Sequence, residues 1–131
     1  MIDKEILTKF YSSDDKLIKE YHVLAGSDLE TCIERTYNDL LDVEIEYIKE
    51  NDEIIGYFGL EKSKYCNFLI GFFVMPELRK DKKYWKEIES KLPQNTYCGL
   101  FTKNTRAIRF LENNNYKRLG NDNTLTVFKI K

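Results

Sequence analysis

The stretch FFVMPELRKDKKYWKEI, from Phe72 to Ile88, passes from an apolar strand pattern through a proline and a basic run into a helical pattern. A strand that ends just before a helix N-terminus is a common anion site, because backbone N–H groups and the helix dipole both point at the gap. The same residues also fit an ordinary turn, in which the lysines form a solvated helix face and Trp85 points inward. The pattern favours the ordinary turn.

The composition is that of a globular chain with balanced charge. Of 131 residues, 42% are hydrophobic, and 21 basic against 22 acidic residues give a net charge of −1. The length predicts a single domain over residues 1–131, and the chain lacks the basic excess typical of nucleic-acid-binding domains. No apolar run is long enough for a membrane span, and the first residues do not resemble a signal peptide. We therefore expect a cytoplasmic protein without nucleic-acid or membrane partners.

The cysteines and the histidine predict no metal site. Cys32, Cys66 and Cys98 are odd in number, widely spaced and without a CxxC pair, which argues against zinc and against a disulfide framework. We expect each of them to be a small buried apolar residue. His22 is the single histidine, and its place near a predicted helix end is typical of a surface residue stabilised by the dipole.

The order of predicted elements indicates a mixed sheet. Residues 5–11 alternate apolar and polar, which predicts a short first strand, and the run 65–75 is so apolar that we expect a central strand covered on both faces. The other predicted strands are 43–47, 53–62, 96–102, 116–120 and 124–131, and the predicted helices run from the caps Ser12 and Ser13 to Gly26, from the capping box Ser27–Glu30, around Trp85 to Pro93, and from the cap Asn104. The order β-α-α-β-β-β-α-β-α-β-β predicts an α/β domain with six or seven strands and helices on the sheet faces.

Two motifs carry a family resemblance. Asn104 to Tyr116, NTRAIRFLENNNY, is similar to N-x-x-A-x-x-F-Y-E-K-x-G-F, and Val74 to Arg79, VMPELR, is similar to V-x-P-E-x-R at the end of a fourth strand. With the element order, they resemble the GNAT fold of Gcn5-related N-acetyltransferases. The resemblance implies an acyltransferase that uses acetyl-CoA and acts on a small-molecule or protein amine.

The resemblance also implies a cofactor site. In that family, backbone groups of the fourth strand hold the pantetheine arm, and a glycine-containing loop holds the pyrophosphate at the next helix. The strand contacts implied here come from Phe73, Val74 and Met75. The implied loop begins at Arg79, and the remaining implied cofactor-binding residues are Lys80, Lys82, Lys83 and Asn104.

Three positions depart from the family pattern. Lys82 and Tyr84 stand where the loop has small residues, although a nest of N–H groups admits phosphate only if no side chain blocks the backbone. Leu111 stands where many members have a tyrosine that protonates the leaving thiolate, and leucine cannot donate a proton. The implied phosphate loop is therefore degenerate.

A transferase also needs a general base to deprotonate the amine. Glu61, near the end of a predicted strand, is the best-placed carboxylate, and Glu44 and Glu46 are alternatives. All three also fit ordinary solvent-facing strand residues, and that interpretation is favoured.

A narrower resemblance concerns the string NTxxIRFL, Asn104 to Leu111. Small GNAT-like proteins of tailed phages of the podophage type carry a similar string, lack the glycine loop and have leucine at the position of Leu111. This resemblance implies the alternative function, a non-catalytic accessory or virion-associated morphogenesis protein. Its partner would be a virion or host protein, and its location the host cytoplasm or the virion.

Overall fold

The computed structural model of the protein describes residues 2–14 and 28–131. Within these residues the helices are α1 (Lys4–Ser12), α2 (Leu29–Asp39), α3 (Lys83–Lys91) and α4 (Thr105–Asn113), with a 3-10 turn at Pro76–Leu78. The strands are β1 (Glu44–Glu50), β2 (Glu53–Lys62), β3 (Asn67–Val74), β4 (Thr96–Phe101), β5 (Arg118–Asn121) and β6 (Leu125–Lys129). They form one six-stranded sheet in the order β1-β2-β3-β4-β6-β5. Only the β3–β4 pair is parallel, which confirms the predicted mixed α/β sheet.

Each face of the sheet has its own hydrophobic core. On the first face, which we call the α1/α2 face, Leu7, Phe10 and Ile33 pack against Tyr57 and Phe73. On the opposite face, the α3/α4 face, the buried residues include Trp85, Ile88, Ile108, Leu111 and Phe128. The helices therefore stabilise the sheet from both sides, as the element order predicts.

The predicted first strand at residues 5–11 is wrong, because these residues belong to α1. The Asp3 carboxylate caps this helix by accepting the Glu5 N–H at 2.8 Å. Leu7, Phe10 and Tyr11 are buried together, at the i, i+3, i+4 spacing of a helix face. The described part of the chain therefore begins with a helix.

The second predicted helix is confirmed with a different cap. Asp28 precedes α2 and accepts the Thr31 N–H at 2.8 Å. The predicted cap Ser27 lies outside the described residues, as do Gly26, His22 and most of the helix predicted to end there. The predicted N-caps of that helix are wrong, because Ser12 is the last residue of α1 and Ser13 is its C-cap. The buried residues of α2 are Cys32, Ile33 and Thr36.

Residues 43–75 form the three consecutive antiparallel strands that their pattern predicts. Asn51 and Asp52 have φ angles of 52° and 66°, as the tight turn between β1 and β2 requires. β3 is central, but the prediction that both its faces are covered is wrong. Phe68 and Ile70 are 38% and 39% exposed, since the described α1/α2 core reaches β3 only at Phe73 and beyond.

The C-terminal elements follow the prediction closely. Asn104 caps α4, where its side-chain oxygen accepts the Ala107 N–H at 3.3 Å. Cys32 and Cys98 are buried, but the prediction of burial is wrong for Cys66, which is half-buried beside the β2–β3 turn. Among the described residues, no helix has the length and apolar character needed to cross a membrane.

Candidate functional site

The strands β3 and β4 separate towards their C-terminal ends. They are bridged only at Asn67–Thr96, Phe68–Tyr97 and Leu69–Cys98. Beyond Leu69 and Cys98 a groove of about 510 Å³ opens between them. Phe72, Trp85 and Phe110 line it on the α3/α4 face, and Tyr11, Tyr57 and Phe73 line it on the α1/α2 face.

Backbone groups of β3 point into this groove. The Met75 N–H donates to the Ile55 carbonyl at 2.9 Å and therefore faces β2. Because hydrogen-bonding direction alternates along an antiparallel strand, Phe73 also faces β2, whereas Phe72 and Val74 face the groove. The Val74 carbonyl accepts from Arg79 Nε at 2.7 Å, which agrees with this direction.

Phe72 therefore places both an N–H and a C=O in the groove, although the motif resemblance does not include it among the strand contacts. Of the implied strand contacts, Val74 faces the groove, but the Met75 N–H is used within the sheet. The alternation of hydrogen bonds, counted from Met75, is the signal that identifies Phe72.

The loop before α3 caps its own helix. Asp81 accepts the Lys83 N–H at 3.0 Å through its carboxylate. This negative charge is favourable at a helix N-terminus, and it repels a second anion at the same place. Lys80, Lys82 and Lys83 are exposed around it, and Lys82, the residue before α3, makes no side-chain cap bond.

Tyr84 does not extend into solvent from this loop. Its ring is buried with Trp85 and Ile88 in the α3/α4 core, and it also forms part of the groove wall. Its hydroxyl donates to the Glu50 carboxylate, and this hydrogen bond raises the pKa of Tyr84. A glycine here would therefore cost more than its low helix propensity, because the substitution also removes a buried ring.

A charged cluster lies at the open end of the groove. Asp14, which is 4% exposed, contacts Arg79 Nη2 at 2.7 Å and Arg106 Nη2 at 3.1 Å. The Arg79 guanidinium also lies 4.9 Å from the centre of the Phe73 ring. This Asp14 cluster joins the end of α1, the loop before α3 and the start of α4, so Arg79 has structural partners where the resemblance implies a phosphate contact.

The carboxylates predicted as a general base lie outside the groove. Glu61 is bridged to Phe68 near the end where β3 and β4 are paired. Glu44 lies 3.4 Å from Lys62 Nζ, and Glu46 lies 2.8 Å from Lys91 Nζ.

Asp39, the last residue of α2, does line the groove. The sequence does not indicate this residue, because no local pattern shows that the end of α2 approaches β3.

Neither Leu111 nor Cys98 is an effective proton donor for the groove. Leu111 is fully buried in the α3/α4 core. Cys98 lies at the last bridged pair, where burial raises the pKa of its thiol to about 12.

Asn104, from the implied cofactor set, lines the groove while capping α4. Within the described ranges, no group of three His, Cys, Asp or Glu residues could hold a metal ion.

Comparison with solved structures places this arrangement in a known fold. No protein-family model matches the chain, and no curated protein matches it. PH1933 from Pyrococcus horikoshii OT3 is 16% identical, with a TM-score of 0.66 over 98% of this chain and 91% of that one. The PaiA N-acetyltransferase from Thermoplasma acidophilum, in complex with coenzyme A, is 14% identical, with a TM-score of 0.59 over 98% and 95%. A GNAT-family acetyltransferase from Staphylococcus aureus Mu50 is 19% identical, with a TM-score of 0.59 over 98% and 93%.

The chain has the GNAT fold. At these identities the likeness establishes the architecture alone, and fold does not determine activity. The GNAT resemblance of the two motifs is thereby confirmed for the fold. On this GNAT fold, VMPELR ends β3 and enters the loop before α3, and NTRAIRFLENNNY forms α4 and its flanks.

Proposed function

We propose that this protein is an N-acyltransferase that binds acetyl-CoA in the groove between β3 and β4. The observation that carries the proposal is the separation of these strands beyond Leu69 and Cys98, which leaves the N–H and C=O of Phe72 facing the groove. An extended chain that contains amides can pair with such a strand edge through backbone hydrogen bonds. The pantetheine arm of CoA is such a chain, and the similar PaiA structure holds coenzyme A.

The phosphate groups would lie towards the loop before α3. Lys80 and Lys82 line the groove there, and Lys83 adds a third exposed charge. Because the Asp81 carboxylate already occupies the helix start, we propose that lysine charges hold the phosphates, in place of a nest of backbone N–H groups. We expect the lysines to bind the phosphates more weakly than such a nest would.

The reaction would use groups from both faces of the groove. The amine nitrogen attacks the thioester carbonyl carbon, the C–S bond breaks, and the acyl group becomes an amide. The N–H group of Phe72 stabilises the negative charge that develops on the carbonyl oxygen. Asp39 accepts the proton of the ammonium group, directly or through water. The leaving thiolate takes its proton from solvent, since Leu111 cannot donate one.

A non-catalytic binding protein is the second candidate. Asp81 caps the start of α3, where the resemblance implies a phosphate, and the buried Leu111 stands where the resemblance implies a proton donor. Both observations favour this candidate. The comparisons lend no support to a virion role.

The deciding experiment is calorimetric titration with acetyl-CoA, together with a thermal shift. A ligand at about a hundred times its dissociation constant stabilises the folded state by about 2.7 kcal/mol. We expect Lys82→Ala to weaken binding about fivefold, since one exposed phosphate contact is worth about 1 kcal/mol. Lys64→Ala is the matched control, because Lys64 is an exposed lysine in the β2–β3 turn that does not line the groove.

Turnover is measured by the loss of thioester absorbance over a panel of primary amines. A thiol reagent is unsuitable, because Cys66 is a half-buried free thiol. Absence of binding at millimolar acetyl-CoA would overturn the proposal. Binding without transfer to any amine would favour the non-catalytic candidate.

A further inference from the structure

Glycines in the sheet differ in whether the surrounding atoms leave room for a side chain. A Cβ atom on Gly56 would lie 2.3 Å from the Phe73 carbonyl oxygen, and one on Gly59 would lie 2.9 Å from Val43 Cγ1. Packing therefore requires both of these glycines.

Packing does not require glycine at Gly71 or Gly99. A Cβ on Gly71 would meet Tyr57 Oη at 3.5 Å, and a Cβ on Gly99 would meet Leu125 Cδ1 at 3.6 Å. Both distances are ordinary van der Waals contacts, and neither backbone has the positive φ that favours glycine. Alanine fits at both positions without strain.

Glycine is an unfavourable residue in a strand, because it loses more conformational freedom on folding and has no side chain to pack. A strand glycine without a structural reason often marks a place where a ligand approaches the backbone closely. Gly71 and Gly99 both line the groove, which is the one location where such a ligand is proposed.

The two glycines face each other across the start of the opening. Each lies within two residues of the last bridged pair, Leu69 with Cys98. Gly71 shares the α1/α2 face with Phe73, and Gly99 is on the side opposite Cys98, which packs on the α3/α4 face. The missing side chains therefore leave a gap on the same face of the sheet, the face that Asp39 also approaches. We call this space the glycine gap.

We infer that the acyl group of the thioester lies in the glycine gap, and that Gly71 and Gly99 determine which acyl groups fit. This inference rests on the proposed function. The Tyr57 hydroxyl bounds the gap beside Gly71 and the Leu125 side chain bounds it beside Gly99, so each side has room for about one methyl group. A short acyl group fits this space, and two added methyl groups fill it.

The test compares Gly71→Ala and Gly99→Ala with Gly120→Ala. Gly120 is exposed in β5, and a Cβ there would meet nothing within 4 Å, so it controls for the loss of a strand glycine. Each protein is titrated with acetyl-CoA and with free CoA, and its melting temperature is measured without ligand.

We expect Gly71→Ala and Gly99→Ala to bind acetyl-CoA about tenfold more weakly or worse, which corresponds to about 1.4 kcal/mol, while the affinity for free CoA stays within about twofold of the natural protein. Their melting temperatures should be equal or higher, since alanine is the better strand residue. Gly120→Ala should leave both affinities unchanged. A purely structural role would lower the melting temperature and would not distinguish the two ligands.

Equal loss of affinity for both ligands, or no loss for acetyl-CoA, would overturn the inference while leaving the proposed function intact. If the natural protein binds neither ligand, the proposed function fails and the inference falls with it.

Discussion

Replacing Asp14 by asparagine measures how strongly the charged cluster at the groove holds three elements together. Asparagine keeps the shape of the side chain but removes the negative charge that faces Arg79 and Arg106 at 2.7 and 3.1 Å. Removal of one partner from a fully buried ion pair costs about 3 to 5 kcal/mol. The two arginine side chains are 30% and 35% exposed, so solvent screens part of the loss, and we expect about 2 kcal/mol.

Urea denaturation at neutral pH gives the free energy of unfolding directly. Trp85 is the single tryptophan and contacts Phe72 and Phe110 in the core, so its fluorescence reports the transition. The control is Asp42→Asn, which changes an exposed aspartate beyond α2. A loss for Asp14→Asn within about 0.5 kcal/mol of that control would refute the structural role of the cluster.

Two further substitutions test the core beside the groove. Tyr84→Phe keeps the buried ring and loses the hydrogen bond to Glu50, so it should lower the melting temperature by only a few degrees, whereas Tyr84→Gly should lower it by about 10 °C or more; equal effects would show that the ring contributes nothing. Burial raises the pKa of Cys98 from 9.0 to about 12, so the folded state resists ionisation of this thiol. Its stabilising effect is complete below pH 9 and is lost as the pH rises towards 12, with a slope of up to about 1.4 kcal/mol per pH unit. Cys98→Ala should remove that part of the pH dependence in urea titrations, and an unchanged profile would contradict the assignment.

The hairpin of β1 and β2 could be predicted because its information is local. Alternating residues flank Asn51 and Asp52, and both turn residues adopt the left-handed conformation that Asn and Asp tolerate. The cap of α4 at Asn104 is local in the same way. By contrast, the seven residues of EILTKFY fit both a period of two and a helical spacing, and only the contacts of Leu7 and Phe10 with the sheet decide for the helix.

The groove was harder to predict than the fold. The motif VMPELR correctly indicates the end of a central strand before a helix, but it does not give the direction of each backbone group, which depends on the register with β2. Asp39 approaches the groove from a helix that ends 28 residues before β3 begins. Likewise, Tyr84 looks like a loop residue in sequence, and its burial follows only from its place in the α3/α4 core and its hydrogen bond to Glu50.

We expect the short parallel seam between β3 and β4 to separate the sheet into two units in local unfolding. β1 to β3 are connected by hairpins of low contact order, and β4 to β6 pair among themselves, so each unit can form its ladder before the seam closes. With only three bridged pairs, the seam is the place where sub-global opening costs least, and amide protons there should exchange with solvent ahead of those inside either unit. A molecule that hydrogen-bonds to the edges of both β3 and β4 would link the two units. The units would then unfold together.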